Sequence, residues 1–165
     1  MNTSEPLSHF SNEYLRFLYE NGPTAALSDG MHAHDDRLED VDRSAIDNQA
    51  RELGGFARRL DRISARTLTA DEQLERRMLT DHIRGQMFEL EEVRPWQTDP
   101  SYYTNLLARS LAGQTLFAYA PVEERARRVV SRLRQTPRLL EAAEANLEEP
   151  PGLSIKNGAD RKSVV

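Results

Sequence analysis

A chain of 165 residues that is 38% hydrophobic and 30% charged has the apolar content for one core, and a domain of this length buries about two-thirds of its unfolded surface. A formal net charge of −5 argues against general nucleic-acid affinity, which requires clustered Lys and Arg to displace counterions, and the lack of cysteine excludes disulfides and thiolate metal sites. No stretch is long and apolar enough to span a bilayer, and Met1–Pro6 lacks the basic start and apolar run of a secretory leader, so the expected compartment is the cytoplasm.

In chain order, Phe10, Tyr14, Phe17 and Leu18 recur at spacings of three and four within Leu7–Asn21, which predicts an amphipathic helix stopped by Gly22-Pro23. Thr24–Leu27 suits one further turn, and Ser28–Asp42 reads as a polar loop. From Ser44, taken as the N-cap, the series Ile46, Ala50, Leu53, Ala57, Leu60 and Ile63 predicts a helix of about five turns. Gly54-Gly55 in its middle implies a close helix approach or a bend.

Thr69-Ala70-Asp71-Glu72 is a capping-box sequence that opens a second long helix. Leu74, Met78, Leu79, Ile83, Met87, Leu90 and Val93 form its expected core face, and Pro95 ends it. The short link Arg66–Leu68 makes these two helices an antiparallel hairpin. Further helices are predicted over Tyr102–Phe117 and Val122–Gln135, with Pro121 near the start of the latter. A last helix, carrying Leu139, Leu140, Ala143 and Leu147, is expected to restart after a break at Thr136-Pro137 and to close at Pro150-Pro151-Gly152. No segment alternates with period two as a strand does, so the fold class is all-α, with helix hairpins in an irregular bundle.

Two imidazoles and two carboxylates in His32-Ala33-His34-Asp35-Asp36 are ligand types that zinc prefers. The H-x-H-x-D-H motif of metallo-β-lactamase-like hydrolases, however, has Arg37 at its final position here, with no preceding strand. A polar loop is the better reading: its His and Asp side chains bind one another, and Asp35, Asp36, Asp40 and Asp42 suit helix caps. His82 has no ligand at helical spacing, and Glu89, Glu91 and Glu92 read as solvent-facing. Trp96, Tyr102, Tyr103 and Tyr119 are assigned to the core rather than to a ligand cleft. The runs Arg58, Arg59, Arg62, Arg66 and Arg125, Arg127, Arg128, Arg132, Arg134 are assigned to solvated helix faces, the alternative being an anion or nucleic-acid groove. With no HExxH, nucleophile elbow or phosphate loop, no catalytic, cofactor-binding or metal-binding residue is assigned.

Several ordered strings resemble the N-terminal part of the bacterial "domain of unknown function 885" family of zincin-like metallopeptidase-like proteins. They include Pro23–Ala26, Gly30–Asp40, Leu68–Ala70, Glu89–Trp96, Asp99–Tyr103, Glu123–Arg125, Arg132-Leu133 with Pro137, and Ala145–Leu147 before Pro150-Pro151. The resemblance runs from about Tyr14 to Pro151. It implies a mainly helical fold in a much longer protein, whose zinc-binding HExxH helix lies far downstream of the region matched here. It carries no metal ligand or general base onto any residue of this chain.

Asp160–Val165 looks like the translation of a sequencing adapter, so the authentic chain is expected to end near Ala159. The expected organisation is a helical N-terminal region over 1–151, a truncated connection over 152–159 and a non-native tail over 160–165. The function this implies is the helical N-terminal portion of a zinc-dependent metallopeptidase-like hydrolase, inactive alone. Zinc and a peptide substrate belong to the full-length protein, and the missing C-terminal part of the chain is the partner, with no nucleic acid and no membrane. The alternative is a stand-alone helical protein-interaction module.

Overall fold

Phe10, Tyr14 and Phe17 bury one face of α1, which spans Leu7–Asn21 in the computed structural model; residues 6–148 are described. The stripe closes on Phe56, whose ring stands edge-on to Phe10 at 5.7 Å and to Tyr14 at 5.3 Å. Such offset aromatic contacts add to the stability gained from area burial alone. Pro23, with φ preset for a first helical turn, opens α2 (Pro23–Ser28). This short helix lies so close to α6 (Pro100–Leu116) that a Cβ on Gly113 would stand 2.8 Å from Leu27, which explains a glycine at that position.

The expected polar loop after Ser28 is instead part of the core. It makes one 3₁₀ turn at His32–His34 and then buries Asp35, Leu38 and Val41. An irregular backbone can be buried only if its polar groups find partners. Here they come from α7 (Val122–Asn146): Gln135 accepts from the Leu38 N–H at 3.0 Å, Ser131 and Gln135 each donate to the Asp36 carbonyl at 2.8 Å, and Asn146 donates to the Val41 carbonyl at 2.6 Å.

α3 (Arg43–Arg62) is capped by Asp42 rather than Ser44, its carboxylate accepting from the Ala45 N–H at 2.8 Å. After a 3₁₀ turn over Ala65–Thr67, both bonds of the capping box at Thr69 and Glu72 form, opening α4 (Ala70–Phe88). α3 and α4 make the expected hairpin against α1, with Leu53, Leu60, Ile63 and Ile83 in the shared core. The rest of the expected core face of α4 divides. Leu79, Met87 and Leu90 pack inward, whereas Leu74 is 51% and Met78 64% exposed and Val93 is exposed as well.

α4 runs on into a π turn over Glu89–Val93 and ends at Arg94, the only non-glycine residue with positive φ (50°) among those described. α5 (Pro95–Thr98) follows, and its Trp96 indole donates to the Leu90 carbonyl at 3.0 Å. The expected break at Thr136-Pro137 does not occur. α7 runs unbroken over Val122–Asn146 with Pro137 inside it. Contacts on either side of the proline, from Arg132 to Asp35 and from Arg138 to Asp40, hold both halves of the helix against one segment. Leu139, Ala142 and Ala143 join Leu38, Val41, Ile46, Trp96 and Tyr103 in a second core cluster, and Leu90 touches both clusters. Among the described residues there is no strand, and the fold is all-α. The expected stop at Pro150-Pro151-Gly152, the connection over 152–159 and the tail over 160–165 lie outside the described residues.

Candidate functional site

The His–Asp string is drawn into an ion-paired knot. The Nδ1 atom of His32 lies 3.0 Å from a carboxylate oxygen of Asp35, and its ring stacks on Tyr119 at 4.0 Å with an interplanar angle of 3°. The same Asp35 carboxylate accepts from Arg128, whose guanidinium also binds Glu124 and lies over the Tyr119 ring. Mutual binding of His and Asp is thus realised at His32 and Asp35, capping at Asp42, and an exposed pair at Asp40 with Arg138. Among the described residues no group of three or more His, Cys, Asp or Glu is disposed to hold a metal ion.

Arg132 departs from the solvated-face assignment: it is fully buried. Its Nε donates to the Asp35 carbonyl at 2.8 Å, Nη1 to the Ser110 carbonyl at 2.8 Å and Nη2 to the Pro23 carbonyl at 3.3 Å. Gln114 donates to the same Asp35 carbonyl. Burial pushes the Arg132 guanidinium below its ordinary value, with the nearby Glu39 and Asp35 opposing that shift. These two side chains tie α2, the 29–42 segment, α6 and α7 together at one point.

Beside this knot, a cleft of about 300 Å³ opens between α2, α3, the end of α4, α5 and α6. Glu39 sits in its wall, with both oxygens engaged by Thr24: the backbone N–H at 2.7 Å and the hydroxyl at 2.9 Å. Tyr102 faces the same cleft. Burial, helped by Tyr103, Glu39 and Glu89, pushes its phenol up to about 12, so it is a neutral hydrogen-bond donor at physiological pH. The four aromatics assigned to the core therefore divide. Trp96 and Tyr103 are buried, Asn146 donating to the Tyr103 hydroxyl at 3.1 Å, while Tyr102 and one edge of Trp96 line the cleft. Tyr119 covers His32. Glu89, Glu91 and Glu92 are exposed, as expected.

On the outer side of the α1–α4 pair, a wide groove of about 910 Å³ is floored by Leu15, Leu18, Leu74 and Met78. His82 belongs to this groove, its Nδ1 2.8 Å from the Tyr14 hydroxyl. Sequence reasoning missed Glu39, Gln114 and the buried state of Arg132, because their partners lie from 15 to 109 positions away in the chain. No local spacing announces such pairs.

The sequence matches the family model described as "Bacterial protein of unknown function (DUF885)" over residues 23–159. In fold the chain is similar to a solved structure described as "a putative lipoprotein of unknown function" from Shewanella oneidensis, with a TM-score of 0.82 and 24% sequence identity. The match covers 94% of this chain and 29% of that one, so the chain spans less than a third of that longer protein. No curated protein matches the sequence. The cytoplasmic expectation is corrected by this likeness, because the protein that shares the fold is described as a lipoprotein. Among the described residues no helix is long and apolar enough to cross a membrane.

Proposed function

The chain belongs to the bacterial family of unknown function DUF885, and from that premise we propose that it forms the N-terminal helical portion of a longer, zinc-dependent metallopeptidase-like hydrolase. The observation that carries the first half of this reading is the outer face of α1 and α4. Leu74 and Met78 keep core-like spacing along α4 yet stand 51% and 64% exposed, and a contiguous exposed apolar face marks a surface that another element covers. The fold's occurrence within a much longer chain supports the same conclusion. The metallopeptidase half rests on the sequence resemblance, in which an HExxH zinc helix lies downstream of a region like this one.

In this reading the residues present do no bond chemistry. They build one wall of a peptide-binding cleft, in which Tyr102 offers a neutral phenol and Glu39 a carboxylate held in place by Thr24. A downstream helix would supply the two His ligands on one face and the Glu that activates zinc-bound water. The test is to express the longer polypeptide encoded at the locus and to measure its zinc content and its hydrolysis of a peptide library. Bound zinc with chelator-sensitive hydrolysis, both absent from the 165-residue chain, is the expected result. A longer polypeptide without zinc or hydrolysis, or a 165-residue chain that cleaves peptides and stops when His32 or His34 is replaced, contradicts the reading.

A further inference from the structure

A second groove, of about 500 Å³, runs between α3 and the π turn at the end of α4. Arg43, Arg51 and Arg58 from α3 line one wall, and Arg94 lines the other. Gly54 leaves the first wall open. A Cβ there would meet only the Arg58 guanidinium, at 3.4 Å, and no neighbouring helix lies within 4 Å. The glycine pair that implied a close helix approach or a bend meets no neighbouring helix, and only the Arg58 guanidinium lies against it.

Arg94 is held in the left-handed region at φ 50° by the π turn, and its Nε donates to the Glu91 carbonyl. π turns and left-handed non-glycine residues cost energy and concentrate at functional sites. Arg43 lies over the Trp96 ring with its Cζ 4.7 Å from the centroid.

The spacing of the cations defines what they can bind. Arg43, Arg51 and Arg58 sit eight and then seven residues apart on α3, so at about 1.5 Å per residue they spread over roughly 22 Å, with about 11 Å between neighbours. One compact anion cannot reach them all. An extended peptide advances about 3.3 Å per residue, so carboxylates three or four residues apart match that interval. Along duplex DNA each strand carries a phosphate roughly every 3.4 Å of helix axis, and the two carboxylates that share the groove, Asp47 and Glu91, oppose so dense a charge. The apolar floor at Met87 and Leu90 suits the uncharged residues between the carboxylates.

We propose that the groove between α3 and the π turn binds an extended acidic peptide segment, its carboxylates paired with Arg43, Arg51 and Arg58 on one wall and Arg94 on the other. Arginine matches carboxylates with two parallel N–H donors, which gives such pairing geometric selectivity. The inference does not depend on downstream zinc chemistry, because its readout is binding by this chain alone.

Trp96 is the only tryptophan and lines both this groove and the cleft of about 300 Å³, so its emission reports binding and the arginine variants assign that binding to the groove. The probe is a synthetic peptide of four Glu-Ser-Gly repeats titrated into the full 165-residue chain, with a Gln-for-Glu peptide as the neutral control. The expected result is a saturable, salt-sensitive change with the Glu peptide and none with the Gln peptide. Arg51→Glu combined with Arg58→Glu should weaken binding by about tenfold or more, a change far above the error of a titration. Arg127→Glu, outside the groove, should leave binding unchanged. Glu91→Gln removes a competing carboxylate and should tighten it. Equal response to both peptides, an unweakened double variant of unchanged helicity, or tighter binding of a short oligodeoxythymidine would overturn the proposal. If the double variant loses helicity, Glu91→Gln decides, and failure to tighten counts against the acidic peptide.

Discussion

Arg132 donates its Nε proton to the backbone carbonyl of Asp35 at 2.8 Å, while the carboxylate of the same Asp35 is turned to Arg128 and His32. One residue thus receives two arginines through two different groups, and the division of labour separates holding the backbone from balancing the charge. Arg132 reaches three carbonyls from three different segments, the 29–42 segment, α6 and α2.

Replacing Arg132 with Met keeps most of the apolar volume and leaves those three buried carbonyls without that donor. Ser110 and Pro23 lie within α6 and α2, where a carbonyl also accepts from the N–H four residues on, and Gln114 still donates to Asp35. At about 1.5–3 kcal/mol for a bond from a charged donor, the expected loss is therefore about 2–4 kcal/mol of folding stability. Urea denaturation followed by circular dichroism measures it. A loss below about 1 kcal/mol would show that the carbonyls find other partners.

Asp35→Asn leaves the backbone carbonyl in place and removes the charge that faces Arg128. Asp35 is 1% exposed and Arg128 is partly buried, so the pair is neither a surface pair worth almost nothing nor a fully dry one. A destabilisation of about 2–3 kcal/mol is expected, below the 3–5 typical of breaking a fully buried pair. His32→Ala, at the more exposed partner, should cost less than Asp35→Asn in the same denaturation experiment.

Burial pushes the phenols of Tyr14 and Tyr102 up to about 12 from an ordinary value near 10. The folded state therefore holds these protons where the unfolded state releases them. Their contribution is fully present below about pH 10 and is lost as pH rises through about 12. Stability should decline over that alkaline window. In an ultraviolet titration of the native chain, Tyr102→Phe should remove one late-ionising phenol.

Much of the fold is legible in the sequence because its signals are local. The α1 stripe, the Thr69–Glu72 capping box and the α3–α4 hairpin each follow from residues within a turn or two of one another. Three features were not legible for the opposite reason. The 29–42 segment reads as polar because Leu38 and Val41 show no helical period, and they are buried only because α7 supplies hydrogen bonds from about a hundred positions away. Leu74 and Met78 keep perfect core spacing, which says that a face is apolar but not what covers it. The arginines on α7 look alike in a periodic pattern, yet Arg132 alone of that run is fully buried.

Pro137 is a fourth case. A proline inside a helix forfeits one backbone hydrogen bond and crowds the preceding turn, at a cost of about 3 kcal/mol, yet α7 continues through it. Pro137→Ala should restore the bond. After allowing about 1 kcal/mol for the freer unfolded chain, a gain of roughly 2 kcal/mol is expected, read as a higher urea midpoint with unchanged slope. A loss of stability would mean that packing requires the shape the proline imposes.

The exposed face of α1 and α4 makes a prediction about association. Leu74→Ser with Met78→Ser should change the folding stability of the chain by no more than about 0.5 kcal/mol, as surface substitutions do, while sharply reducing hydrophobic-dye binding and any self-association seen by sedimentation. Unchanged dye binding would place the sticky surface elsewhere, the exposed Leu116, Phe117 and Val122 being the next candidates.

The proposal that these helices open a longer zinc-dependent enzyme is checked by sequencing the source locus beyond the codon for Ala159. An open reading frame that goes on to encode an HExxH sequence within an amphipathic helix is expected. A locus that encodes Asp160–Val165 and then stops, or that continues without HExxH, would contradict it.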